Sequence, residues 1–240
     1  MSEDRSVLSR KAPEPDQELR YGDHADQVID YWHAKDYRSP VVFLHGGFWR
    51  PEYDRVHARS LGAALSDRGW PVLSVEYRRE PGNPDVTTGD VRTALDALPD
   101  LVNLEAGFVL VGHSAGGQLA LWAASTLNPV RLRGVIALAP VADLLQADRL
   151  DLDGGAVQAF IGGGVRNDLD PVHLPASIAP VTLFHGVNDS VVPISITESY
   201  YSAHPTAHYH RLDHCAHYEL IDPQTDPWQK LPPELTRLTS

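Results

Sequence analysis

The sequence predicts an α/β fold, an open and mostly parallel sheet covered by helices on both faces. Two observations carry that prediction. Apolar runs alternate with helix-spaced segments along most of the 240 residues. Several runs are continuously apolar, as in strands buried on both faces. A third observation gives the fold a functional end: one run passes directly through a glycine-rich turn into a helix, at Val109–Ala120 ("VLVGHSAGGQLA").

Taken in order, residues 1–20 read as a flexible lead-in and 21–240 as a single domain. "QVIDYWHA" (Gln27–Ala34) alternates apolar and polar residues, a strand pattern. "VVFLHGG" (Val41–Gly47) is a buried strand. Val56, Leu61, Ala64 and Leu65 then fall at helical spacing in a segment that stops at Gly69. "PVLSVEYR" (Pro71–Arg78) is a strand. "TTGDVRTALDALPDL" (Thr87–Leu101) is a helix with Val91, Ala94 and Leu95 on one face and a cap expected from Thr88 or Asp90. "GFVLVGHS" (Gly107–Ser114), the helix Ala115–Leu127 and the strand Arg133–Asp143 follow. From 144 to 180 the pattern loosens into Asp-rich turns around one short helical piece, Gly155–Gly163, read as a small cap-like insertion. "PVTLFHGVND" (Pro180–Asp189) is a buried strand, Ile194–His204 a helix and Ala207–His214 a strand; a polar, Pro-rich tail ends the chain. No internal repeat or linker divides it.

Composition narrows the function. Formal net charge is −12, which disfavours nucleic acid, whose binding rests on a positive surface. No apolar run is long enough to span a bilayer, and the N-terminus lacks the apolar core of a secretory signal. With one cysteine, Cys215, no internal disulfide can form. The expectation is a cytoplasmic protein acting on a small molecule, with no membrane or nucleic-acid partner. The oligomeric state is left open, a homodimer included.

Gly112-His113-Ser114-Ala115-Gly116 has the G-x-S-x-G form. Between a buried strand and a helix, such a turn lifts the serine oxygen above the sheet edge, beside the helix N-terminus. A dinucleotide turn would need G-x-G-x-x-G, which "GHSAGG" does not match. A serine nucleophile needs a base and the base an orienting carboxylate. Asp189, just past the end of a late strand, supplies the carboxylate. For the base, the loop after the last strand offers His214 and His217, and Ser…Asp…His is the chain order of an α/β hydrolase. His208 and His210 share a strand face, but no further ligand stands at a recognisable metal spacing, so no metal is expected.

"HGGFW" (His45–Trp49) resembles the HGGxW motif of the kynurenine formamidase (arylformamidase) group, itself similar to the hormone-sensitive-lipase-like carboxylesterases with their HGGG motif. "SVEYR" (Ser74–Arg78), "GHSAGG", "HGVNDSVVP" and "HYELIDP" (His217–Pro223) also resemble segments of these α/β-hydrolase families, over about Gln27 to Pro223. The last of these selects His217 over His214 as base. The resemblance implies an α/β-hydrolase fold and hydrolysis of a carboxylic ester or an aryl N-formyl amide, without metal or organic cofactor. It implies Ser114, Asp189 and His217 as triad, and backbone N–H groups of Gly46, Gly47 and Ala115 as oxyanion hole. Phe48, Trp49 and His113 are assigned to the substrate pocket, the two aromatics alternatively packing the loop, and Phe48 replaces the third glycine of HGGG. His45 reads as a loop-bracing residue, Tyr77 as either a brace of the Gly46–Gly47 loop or a core residue, Arg50 as a surface arginine and Cys215 as a buried filler. Two other functions use the same fold: acyl transfer or ring closure on the same triad, and binding without catalysis.

Overall fold

Residues two apart divide the strands between two apolar layers. The computed structural model describes residues 3–35 and 38–240. Its strands are β1 (Gln17–Arg20), β2 (Val28–Trp32), β3 (Val41–Leu44), β4 (Val72–Val75), β5 (Phe108–His113), β6 (Leu132–Leu138), β7 (Val181–Gly186) and β8 (His208–Leu212). They form one sheet in the order β1-β2-β4-β3-β5-β6-β7-β8. The β1–β2 and β2–β4 pairs are antiparallel and all later pairs parallel. Val42, Leu44, Leu73, Val75 and Leu110 pack on one face with the helices α2 (Pro84–Leu101) and α3 (Ala115–Thr126). Val41, Phe43, Val72, Val109 and Val111 pack on the other, against α1 (Arg59–Ser66) and the C-terminal helix. The alternation follows from the pleat of a strand, and burial on both sides from the crossover helices.

The insertion between β6 and β7 holds two short helices, α4 (Leu144–Arg149) and α5 (Ala156–Ile161), and a 3-10 turn at Pro171–His173. Helix α6 (Ser195–Ala203) joins β7 to β8.

Four expectations need correction. The lead-in is structured from residue 3 onward, Met1 and Ser2 lying outside the described residues. Its residues 17–20 pair with β2, Val7 is the buried residue of a 3-10 turn at Ser6–Ser9, and Arg10 makes a two-pronged ion pair with Asp222. The tail folds back as α7 (Leu231–Thr239), burying Leu231, Leu235 and Leu238 behind Trp228. Those leucines fall on one helical face, and Pro232 and Pro233 sit in the first turn, where no intrahelical N–H is needed. Helix α2 starts at Pro84, whose fixed φ suits a first turn. Thr88 and Asp90 are therefore interior, and Asp90 is held by Arg78 and Gln27. Val56 lies in a 3-10 turn (Arg55–Ala58) before α1 and is exposed, because that turn rotates it off the face of Leu61 and Leu65.

Candidate active site

Loops leaving the carboxyl ends of β3, β5, β7 and β8 meet around one cavity of about 250 Å³. This is the end at which parallel sheets gather their reactive groups.

Ser114 stands between β5 and α3 with φ 56° and ψ −119°. A non-glycine residue held there stores about 1–3 kcal/mol of strain, so its surroundings must enforce it. They do so by close backbone contact. A Cβ on Gly112 would fall 2.1 Å from the Gly116 carbonyl oxygen, and one on Gly116 would fall 2.1 Å from that of Leu44. The Ser114 N–H donates to the Leu138 carbonyl at 2.9 Å, and the Ser114 carbonyl accepts from Gln118 and Val141.

Asp189 and His217 meet. The His217 Nδ1 donates to Asp189 Oδ2 at 2.7 Å, and both side chains are buried. Asp189 Oδ1 accepts the N–H groups of Val191 and Val192. Burial alone would raise the pKa of Asp189; the charge of His217 and the hydrogen bonds from His185 and His217 outweigh it and hold the carboxylate well below its ordinary value. His214 is exposed and outside the cavity lining, whereas His217 lines the cavity with Ser114. Among the described residues no hydrogen bond joins Ser114 to His217. Contacts of this kind often tighten only once substrate is bound.

His185 is a second imidazole on Asp189 that the sequence reading passed over. Its Nε2 donates to the Val192 carbonyl at 2.8 Å and lies 3.2 Å from Asp189 Oδ2, while its Nδ1 accepts from the Thr197 hydroxyl. It fixes the turn that carries Asp189. The only hint in the sequence is its position four residues earlier, where it reads as the last side chain of a strand.

Opposite the elbow lies the His45–Trp49 loop. Gly46 N–H, Gly47 N–H and Ala115 N–H take part in none of the loop or turn hydrogen bonds among the described residues. Gly46 packs on the elbow: a Cβ there would fall 3.0 Å from both the His113 carbonyl oxygen and Ser114 Cβ. Gly47 (φ 111°), Phe48 (φ 50°) and Trp49 (φ 54°) are all left-handed. His45 braces the loop, its Nε2 lying 3.2 Å from Glu76 Oε1 and its Nδ1 2.8 Å from the Gly46 carbonyl. The Tyr77 hydroxyl donates to the His45 carbonyl at 2.6 Å, and the two rings stack. Glu76 also accepts from Arg79 and from the N–H groups of Arg55 and Tyr77. Its burial favours the neutral form, but His45 and Arg79 prevail and hold it ionised well below its ordinary value. No role is read for Glu76, Arg79 or Arg55 in the sequence, where Glu76 falls in the strand Pro71–Arg78 and Arg55 in the helical segment that stops at Gly69.

Phe48 and His113 line the cavity; Trp49 does not. Its ring stacks on Phe160 of α5 at 4.4 Å and its Nε1 donates to Gln118. Gln118 in turn donates to the Leu169 carbonyl, so Trp49 fastens the loop to α3 and the insertion. The left-handed backbone turns it away from the cavity. Arg50 is tied to Asp153. Burial and the charge of His217 hold the His113 pKa well below its ordinary value, and burial with the charge of His45 lowers that of His57, another lining residue, to about 3. Both rings are therefore neutral walls. Cys215 is buried, its thiol pushed up to about 12 by burial and by Glu219, which makes it a poor nucleophile.

Among the described residues the one grouping with metal-ligand geometry is His208, His210 and Glu234, whose ligand atoms lie within 4.8 Å of one another. Glu234 is already held by Arg237 through both oxygens and by the Thr182 hydroxyl, and none of the three lines the cavity.

No described helix is long and apolar enough to cross a membrane. Solved structures with the same fold include an esterase/lipase from an uncultured bacterium, with a TM-score of 0.78 at 16% identity over 98% of this chain and 87% of that one. Another is esterase B from Lactobacillus rhamnosis, at 0.77 and 19% over 98% and 90%. In sequence the chain is similar to the probable carboxylic ester hydrolase LipM of Mycobacterium tuberculosis, 29% identical over 75% of this chain and 49% of that protein. It is also similar to a kynurenine formamidase of Salmo salar, 30% identical over 44% of this chain and 37% of that protein. The chain thus spans about half, or less, of these relatives. The model described as the alpha/beta hydrolase family matches residues 41–237, and the chain belongs to that family.

Proposed function

We propose that the protein is a serine hydrolase cleaving a small carboxylic ester or an aryl N-formyl amide through an acyl-enzyme on Ser114. The observation that carries this reading is the strained Ser114 turn sharing one cavity with His217, whose Nδ1–H is held by Asp189. In this reading Ser114 Oγ attacks the carbonyl carbon and His217 Nε2 takes its proton. Asp189 keeps the imidazole in the tautomer that can accept, then stabilises its charged form. N–H groups of Ala115, Gly46 and Gly47 receive the oxyanion, each such donor being worth about 10²–10³ in rate. The carbon–oxygen or carbon–nitrogen bond breaks as His217 returns the proton to the leaving group. Water, deprotonated by the same imidazole, then frees the acid and restores Ser114. The similarity to an ester hydrolase and to a kynurenine formamidase supports both substrate classes. A lone buried cysteine suits a reducing compartment, and we place the protein in the cytoplasm.

The test is labelling with a fluorophosphonate, alongside turnover of phenyl acetate and of an aryl formamide. Wild type should label at Ser114 and hydrolyse at least one substrate. Ser114→Ala should lose the label and fall by about 10³-fold or more in kcat. Full activity in that variant would overturn the assignment.

A further inference from the structure

Beyond Ser114 and His217 the cavity is walled by the N-terminal arm, which brings Arg5 and Leu8 to its rim. The arm is fastened on both sides of Arg5. On one side, Glu3 accepts the N–H groups of Ser190 and His217. On the other, Val7 is buried and Arg10 is paired with Asp222. Arg5 itself reaches the Tyr53 hydroxyl at 3.2 Å and lies 5.5 Å over the ring of Tyr218.

Charge accounting singles Arg5 out. It is the one arginine or lysine among the described lining residues, and Asp153 the one acid. Asp153 is engaged by Arg50. The neighbouring acids of the arm are engaged as well: Glu3 by Ser190 and His217, Asp4 by the Ser6 N–H. Among the described residues no carboxylate lies within ion-pair distance of Arg5. In a chain of net charge −12, the cavity therefore presents an uncompensated guanidinium held between two tyrosines. Such a group matches a carboxylate by two parallel hydrogen bonds, and its tyrosine contacts hold it ready without neutralising it.

Its position also bears on which end of a substrate it meets. The Tyr218 ring beneath Arg5 stands edge-on to the His217 ring, centroids 5.0 Å apart, and in the proposed reaction that base returns its proton to the leaving group. We infer that Arg5 anchors a carboxylate on the leaving alcohol or amine, and that the enzyme acts on esters or amides whose leaving portion is anionic. This rests on the hydrolase reading and adds the substrate's charge and its position.

The experiment uses the full chain and a matched pair of aryl acetates, 4-acetoxyphenylacetate and its neutral amide 4-acetoxyphenylacetamide. Both give the same acetyl-enzyme and differ only in the distal charge. Wild type should favour the anion in kcat/KM. In Arg5→Ala the anion-to-amide ratio should fall by about 10- to 100-fold, the range of a charge-assisted pair, chiefly through KM, and Arg5→Lys should restore part of it. Raising NaCl from 50 to 500 mM should lower the wild-type ratio, since the rim is open to solvent. An arm that merely loosened would slow both substrates and leave the ratio alone. A ratio unchanged in Arg5→Ala overturns the anchor. If wild type hydrolyses neither ester, the ester half of the hydrolase reading fails, the aryl formamide and the fluorophosphonate label decide the other half, and calorimetry with 4-hydroxyphenylacetate and 4-hydroxyphenylacetamide decides the anchor separately. Preference for the acid, lost in Arg5→Ala, upholds it; equal binding of the two removes it.

Discussion

The two turns that face the cavity are held in shape by opposite means. At Gly112–Gly116 backbone is packed on backbone, and the contacts that fix Ser114 come from its own turn and from the ends of β3 and β6. At His45–Trp49 the loop hangs on side chains: Glu76 and Tyr77 at the end of β4, and Gln118 of α3 with Phe160 of α5 behind Trp49. The first design has no slack and depends on residues too small to replace. The second is a network of separable bonds whose members can be weakened one at a time. In the proposed reaction the elbow must present one atom in one place, whereas the loop must shape a wall and receive a charge that exists only during reaction.

The sharpest way to break this comparison is Gly116→Ala. The new methyl would lie 2.1 Å from the Leu44 carbonyl oxygen and 2.3 Å from that of His45, and neither is a side chain that can swing away. The expected loss is about 4 kcal/mol or more, with no fluorophosphonate label on whatever protein stays folded. A urea midpoint equal to wild type would mean the elbow has slack after all.

Glu76→Gln tests the other turn with a smaller effect. It removes the charge that faces His45 and Arg79 in a buried site, and about 3 kcal/mol is expected. Activity should fall with kcat more than KM, because in the proposed mechanism the loop meets the oxyanion rather than the ground state. The variant also makes a pH prediction. Glu76 is held below its ordinary value of 4.5, so the unfolded chain takes up this proton first as pH falls. Its stabilisation is complete above that value and is lost below it, toward the folded-state pKa. Unfolding free energies of wild type and variant should therefore differ most at neutral pH and converge in acid. A constant gap would show that the carboxylate charge is not what holds the loop.

The same contrast explains what could be read from the sequence. The elbow was legible because the small residues that permit it, Gly112 and Gly116, lie within five positions, between a strand and a helix that each announce themselves; Leu44 and Leu138, which close on it, were not. Asp189 was legible at a strand end and chain order left His214 or His217 as its partner; the resemblance of "HYELIDP" chose His217, and the 2.7 Å contact had to come from the fold. The bracing of the loop was not. Glu76 acts on His45 from 31 residues away, and Trp49 turns outward to a ring 111 residues distant. The N-terminal arm has no periodicity, and what pins it, Arg10 on Asp222, spans 212 residues. Helix α7 was hidden by prolines that read as helix breakers when counted and are harmless in a first turn.

The smallest effect is expected from Tyr77→Phe, and it separates shape from tether. The ring is buried and stacks on His45 with centroids 4.4 Å apart, so the phenylalanine keeps the packing. Only the hydroxyl that donates to the His45 carbonyl is lost. A buried bond of this kind contributes about 1 kcal/mol, and the carbonyl left behind is sequestered from water. Stability should drop by about that amount. If the tether sets where Gly46 and Gly47 point, kcat should fall several-fold at nearly constant KM, since the donors act on the transition state alone. If stacking against Tyr77 and the Glu76 bond suffice, stability should fall while kcat stays put. That outcome would move the control of the oxyanion side of the cavity from Tyr77 to Glu76.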